Sequence, residues 1–139
     1  IRRFQEVAKT EMEKFGIPAS VKMAQALIES QAGTSRLATK NNNHFGIKCF
    51  SKSCKKGHCA NFSDDHHKDF FRTYVSAWES WRSHSYLIVK GKYKKLLENG
   101  TDYKDWARGL KELGYATDPR YTEKLLDYIE RYDLQTLDR

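Results

Sequence analysis

No stretch of this 139-residue chain approaches the roughly 18 consecutive apolar residues that a membrane-spanning helix requires. No membrane span is therefore expected. No leader segment is visible either. The chain opens on Ile1 rather than Met, as a mature or trimmed piece does, so export cannot be read from it directly. Internal repeats and low-complexity tracts are absent. So are helix-turn-helix, zinc-finger and RNA-binding signatures, which argues against nucleic acid as the partner. Cysteine is scarce: Cys49, Cys54 and Cys59 fall in one loop-like stretch, and their odd number leaves at least one thiol unpaired or bonded to another molecule. Their spacing lacks the Cys-x-x-Cys clamp of a zinc site, despite His58, His66 and His67 nearby, so neither a metal nor another cofactor is expected.

What is present is the balance of a globular domain, 39% hydrophobic and 31% charged. The length fits a single domain spanning residues 1–139 with one real core. The net charge is +7, from 25 basic and 18 acidic residues. That sign attracts polyanions, among them nucleic acid, anionic membranes and bacterial cell wall, without choosing between them. The basic residues are scattered through helical segments, where they also serve as a solvated face.

Apolar residues at Phe4, Val7, Ala8, Met12 and Phe15 mark one face of a helix from Arg3 to Phe15, which Gly16 ends. Pro18 opens a second helix reaching about Gln31, with Val21, Ala24, Leu27 and Ile28 inward. Gly33 is a natural stop, and a short third helix covers Ser35 to Lys40. From Asn41 to Asp69 the chain turns rich in Asn, Gly, Ser, Lys and His. Phe45–Phe50, Ala60–Phe62 and Phe70–Val75 read there as short strands of a small antiparallel lobe. Ser76 and Glu79 form a capping box that starts the next helix, with Trp78, Trp81, Tyr86 and Val89 as core contacts. Gly91 breaks it, Tyr93–Glu98 adds a turn or two, and Asn99-Gly100 is a turn. Asp102 caps a helix bearing Trp106, Leu110 and Leu113. Asp118-Pro119 starts the last one, bearing Tyr121, Leu125, Ile129 and Tyr132. The expected class is α+β, mostly α: a helical domain with a β lobe over about residues 43–75 and a groove between them suited to an extended polymer.

Glu29 stands near the C-terminal end of the apolar second helix. Partial burial and the negative end of the helix dipole both disfavour a charged carboxyl there. A carboxyl kept protonated near neutral pH is what protonation of a glycosidic oxygen requires. Taken alone, the position also suits an ordinary surface glutamate. The motifs around it decide. Gly16-Ile17-Pro18-Ala19-Ser20-Val21, Ala24-Gln25-Ala26-Leu27-Ile28-Glu29-Ser30, Asn43-His44-Phe45-Gly46-Ile47-Lys48, Phe71-Arg72-Thr73-Tyr74 and Gly114-Tyr115-Ala116-Thr117-Asp118-Pro119-Arg120-Tyr121 resemble, in order, the signature of glycoside hydrolase family 73, in a form most like that of Bacteroidetes. The resemblance runs from about Gly16 to Tyr132.

The resemblance implies a lysozyme-like fold and a secreted, periplasmic or cell-envelope peptidoglycan hydrolase. Such an enzyme cleaves the β-1,4 bond between N-acetylglucosamine and N-acetylmuramic acid, as an endo-β-N-acetylglucosaminidase and autolysin. It would act as a monomer on glycan strands. Glu29 then takes the general-acid position, and Asp64 or Asp65 supplies the second carboxylate. A third route lets the substrate's own acetamido oxygen attack, with Tyr115 stabilising charge or orienting that group. Ser30, Asn43, His44, Phe45, Tyr74, Thr117 and Tyr121 become candidates for binding sugar. His44 departs from the family, where Leu is frequent. The cysteines depart too: relatives pair the cysteine after Gly-Ile-Lys with one just before Phe-Arg, where this chain has Phe70. Cys54–Cys59 and Cys49–Cys59 both remain open as bridges. The competing functions are a lytic transglycosylase, which needs no second carboxylate, and a non-catalytic cell-wall-binding or polyanion-binding module.

Overall fold

The computed structural model describes residues 1–30, 36–47, 59–61 and 70–139. Its helical body consists of α1 (Gln5–Phe15), α2 (Ala19–Ser30), α3 (Arg36–Asn41), α4 (Ala77–Lys90), α5 (Tyr103–Glu112) and α6 (Tyr121–Arg131), with 3-10 helices at Lys92–Asn99 and Leu134–Asp138. Strands β1 (Cys59–Asn61) and β2 (Phe70–Arg72) pair antiparallel, Cys59 opposite Arg72 and Asn61 opposite Phe70. This is the mostly helical α+β architecture that the sequence leads one to expect.

Helix α2 runs through the middle. Ala19, Val21, Met23, Ala24 and Ala26 are buried, and small side chains on several faces let α1, α5, α6 and the C-terminal 3-10 helix pack around it. Its entry is set locally. Gly16 adopts φ +81° and donates its N–H to the Met12 carbonyl at 2.8 Å, a left-handed stop that costs a glycine little. The Pro18 carbonyl then accepts the first helical bond from Lys22 N at 3.1 Å. The C-terminus closes over this entry: Asp138 accepts from Ser20 N at 2.8 Å and Ser20 Oγ at 2.5 Å, placing a carboxylate at the positive end of α2.

The lobe departs from expectation at its first strand. Phe45–Ile47 is not a strand, and residues 48–50 lie outside the described residues. Gly46 sits at φ +63°, and the Asn43 side chain brackets the turn. Asn43 Oδ1 accepts from Ile47 N at 3.1 Å, while Nδ2 donates to the carbonyls of Ile47 at 3.0 Å and Arg72 at 2.9 Å. An amide side chain thus does what a ladder would have done. β2 is shorter than expected because Tyr74 N turns away to the Asn41 carbonyl at 2.9 Å.

Helix α4 starts where the capping signal points, but the bonding differs. Ser76 makes no side-chain cap, and Glu79 Oε2 accepts from Val75 N at 3.1 Å. The inward face is also rotated. Trp81 is buried, yet Trp78 and Tyr86 are exposed and Val89 is half-buried; the core stripe is Ala77, Ser80, Trp81, His84, Ser85 and Ile88. Asp102 caps α5 as expected, accepting from Lys104 N and Asp105 N. Trp106, Leu110, Tyr121, Leu125 and Ile129 are buried, whereas Leu113 is half-buried and Tyr132 lies exposed beyond the end of α6.

Asn43→Ala removes three bonds inside the protein and strands backbone groups of Ile47 and Arg72. We expect a loss of about 2–4 kcal/mol, seen as a lower urea midpoint at unchanged slope. A midpoint equal to that of the wild type would show that the bracket does not hold the turn.

Candidate active site

A groove of about 800 Å³ opens where the C-terminal end of α2, the turn at 45–47 and β2 face the segments 91–93 and 114–118 and the start of α6. Glu29, the penultimate residue of α2, is half-buried and lines it. Opposite stand Tyr93, Tyr115 and Tyr121. Tyr115 and Tyr121 stack with centroids 5.9 Å apart at 19°, and Tyr93 meets Tyr115 edge-on at 5.5 Å. Burial raises the Tyr115 hydroxyl well above its ordinary pKa, with Tyr121 and then Glu29 adding to the effect. Burial raises Tyr121 as well, against the hydrogen bond from Gln25 and with the Glu29 charge adding. Both hydroxyls therefore stay protonated at physiological pH, as neutral donors beside the carboxyl.

Gly46 closes the other side of Glu29. A Cβ built on it would lie 3.3 Å from Glu29 Oε2, closer than side chains ordinarily pack. With φ at +63°, the residue meets two demands that glycine alone satisfies without strain. Phe45, beside it, stacks on His84 at 4.1 Å and 23° and meets Trp81 edge-on at 5.0 Å.

Beneath the tyrosines runs a buried polar chain. Lys22 Nζ reaches the Trp81 carbonyl at 2.7 Å, Ser85 Oγ at 2.7 Å and His84 Nδ1 at 2.9 Å. His84 Nε2 is 2.8 Å from Gln25 Oε1, and Gln25 Nε2 is 3.0 Å from the Tyr121 hydroxyl. Burial drives the His84 pKa well below its usual value, and Lys22 adds to that. Burial also drives Lys22 down, opposed by Glu11.

Of the candidates from sequence, Glu29, Phe45, Tyr115, Thr117 and Tyr121 line this groove together. Ser30 and His44 line a second cavity with Phe4, Met23 and Trp81. There Ser30 Oγ donates to the Ala26 carbonyl and the His44 ring meets Phe4 edge-on. Asn43 is spent on the turn bracket. Tyr74 donates its hydroxyl to Ser83 Oγ at 2.8 Å and is not among the groove-lining residues. Asp64 and Asp65 lie outside the described residues, as do Cys49 and Cys54.

Sequence reasoning passed over Gly46, Phe71, Tyr93 and Lys124 as groove residues, and read Asp118 as a cap alone. Asp118 does cap, accepting from Arg120 N at 2.8 Å, but it also pairs with Lys124. Those contacts hold its carboxyl below the usual range, Lys124 contributing most. It is the described carboxylate besides Glu29 that lines the groove. A Lys within an apolar helix face and a His at core spacing from Trp81 were the available signals for the buried chain. Among the described residues, no cluster of His, Cys, Asp and Glu is arranged to hold a metal ion.

Comparison with known proteins places this geometry. The family model described as mannosyl-glycoprotein endo-beta-N-acetylglucosaminidase, the glucosaminidase domain, matches residues 5–134. The exo-glucosaminidase LytG of Bacillus subtilis is 39% identical over 91% of the chain and 48% of its own length. The chain therefore spans about half of that curated relative. Among solved structures, the catalytic domain of the autolysin Auto from Listeria monocytogenes superposes with a TM-score of 0.83 at 30% identity, over 99% of this chain and 84% of that one. The glycoside hydrolase domain of Salmonella typhimurium FlgJ does so with a TM-score of 0.76 at 27% identity, over 97% and 87%. The lysozyme-like architecture is thus shared with glycoside hydrolase domains.

The state of His84 makes a stability prediction. Buried, it stays neutral at a pH where the unfolded chain's histidine, near pKa 6.5, takes up a proton. The unfolded state then binds more protons, so stability falls as pH drops below about 6.5, by up to about 1.4 kcal/mol per unit for this one group. Urea midpoints should decline between pH 7 and pH 5, and less steeply in His84→Gln. Equal slopes in the two proteins would show that His84 does not titrate on unfolding.

Proposed function

The chain belongs to the glucosaminidase family, and on that premise we propose that it is a peptidoglycan hydrolase cleaving the β-1,4 bond between N-acetylglucosamine and N-acetylmuramic acid. Glu29 is the general acid. The observation that carries this reading is the placement of Glu29. Its carboxyl stands half-buried at the end of the central helix, in a groove walled by Phe45, Tyr93, Tyr115 and Tyr121. Aromatic faces suit sugar rings, and neutral phenol donors suit their hydroxyl and acetamido oxygens. Such a groove accommodates a polymer passing through.

The second half of the reaction falls to Asp64 or Asp65, or to the substrate's acetamido oxygen oriented by Tyr115. Supporting the carboxylates, Phe71 of β2 lines the groove, and the connection that carries Asp64 and Asp65 enters β2 next to it, at Phe70. Thr117 and Tyr121 bind substrate from the opposite wall. No helix among the described residues is long and apolar enough to cross a membrane. Action on wall glycan places the protein outside the cytoplasm, secreted or in the envelope. Within the family, cleavage inside strands fits the description of its model, while LytG is named for cleavage from an end.

Glu29→Gln keeps the shape and removes the transferable proton. Wall lysis should fall by about 10²–10⁴-fold while folding and wall binding persist; undiminished lysis would refute the assignment. Mass spectrometry of products from the wild type should show reducing N-acetylglucosamine ends, and 1,6-anhydro-muramic acid in their place would make the protein a lytic transglycosylase. Gly46→Ala should cost about 1 kcal/mol of stability and, by pushing on the carboxyl, lower the rate roughly ten-fold. A rate equal to the wild type's would show that the groove tolerates displacement of its acid.

A further inference from the structure

The buried chain has a direction, and the direction fixes what Tyr121 can do. Lys22 is fully buried, and its amino group meets the Trp81 carbonyl, Ser85 Oγ and His84 Nδ1 within 2.9 Å. An ammonium has three hydrogens and no lone pair, so it suits all three partners as a donor. Burial works against the cation, and the contacts around the amino group work for it. Phe45 and Trp81 present ring faces at 5.2 and 5.9 Å, and Glu11 of α1 stands behind Ser85 at 3.3 Å, itself paired with Arg82 of α4 at 2.9 Å. With Nδ1 accepting, the neutral His84 ring carries its proton on Nε2 and donates to Gln25 Oε1. The other end of that amide, Nε2, must then donate to the Tyr121 oxygen. Tyr121 receives a hydrogen bond from behind, so its own proton is left for the groove.

We propose that Lys22, acting through His84 and Gln25, is a positioning residue that commits the Tyr121 hydroxyl to donating into the groove beside Glu29. The proposal rests on the hydrolase reading only for what that proton meets, an acceptor oxygen of the bound glycan. A neutral amine at position 22 would accept a hydrogen bond from His84 Nδ1–H on its lone pair and reverse each bond in turn. Tyr121 would then donate backward to Gln25 and turn lone pairs toward the sugar. The polarity of a groove hydroxyl is thus set by a side chain that touches no substrate.

Two measurements test this. Long-range ¹H–¹⁵N NMR of the wild-type 139-residue chain at pH 7 reads the His84 tautomer without reference to activity. We expect a neutral ring protonated at Nε2; the Nδ1 tautomer, or an imidazolium, overturns the relay even if the protein cleaves wall. The second is a double-mutant cycle on kcat/KM for wall cleavage. Tyr121→Phe and Lys22→Met should each lose about ten-fold, the worth of one hydrogen bond. The double variant should also lose about ten-fold, because Lys22 has nothing to orient once the hydroxyl is gone. A loss near a hundred-fold, with the two effects multiplying, overturns the proposal, since a merely structural lysine would act independently of that hydroxyl. Absence of cleavage by the wild type would sink the hydrolase reading, and the tautomer would still decide the relay.

Discussion

A lysine buried to its amino group must be satisfied on every hydrogen, and the way α4 satisfies Lys22 governs the geometry at the groove. An unpaired buried cation costs several kcal/mol, so the packing of α2 against α4 is not free to slide. Trp81, His84 and Ser85 answer Lys22 within one turn of α4. That contact fixes His84 under Phe45 and, through Gln25, under Tyr121. Glu29 sits one helical turn beyond Gln25 on the same helix. The acid, an aromatic wall and the tyrosine floor are therefore referenced to one buried contact. Helix α1 packs against both α2 and α4, and the polar chain ties those two to each other.

This explains which features were legible in the sequence. Helix ends could be read because each is a local matter: Gly16 supplies positive φ, Asp102 supplies a side-chain acceptor, and neither consults the rest of the fold. The inward face of α4 could not be read from periodicity. Hydrophobic spacing selects Trp78 and Tyr86, which are exposed, and passes over Ser80, His84 and Ser85, which are buried. Polar residues face inward there because their partner arrives from a helix about 60 residues earlier. A pattern that scores apolarity has no access to that partner.

The segment from Asn43 to Ile47 shows a second limit. Its residues resemble the family's motif as a block, and the block reads as though every member met the sugar. The structure divides them by direction. Asn43 turns its amide into the backbone, His44 faces Phe4 and the second cavity, Phe45 and Gly46 face the groove. Adjacent residues in a tight turn point to different sides, so a motif can be kept whole for reasons that are half structural. Gly46 carries no side-chain chemistry and is invisible to a search for functional groups, yet a Cβ there would crowd the Glu29 carboxyl at 3.3 Å.

The floor and the lobe hold the groove by different means, and the difference bears on mechanism. Glu29, Tyr115 and Tyr121 stand on or beside helices tied through the core, so the position of the proton donor is settled before substrate arrives. Preorganised donors cost no rearrangement at the moment of reaction, which is where their catalytic value lies. Among the described residues, the strand pair meets the body through Arg72 N to the Ile47 carbonyl and Asn43 to the Arg72 carbonyl. If Asp64 or Asp65 supplies the second carboxylate, it comes from the connection between β1 and β2, on a different element from the acid. If the acetamido oxygen attacks instead, the nucleophile belongs to the substrate and the floor alone must orient it. On either route the acid side is fixed by the protein, so the stereochemical outcome is decided on the face of the sugar opposite Glu29.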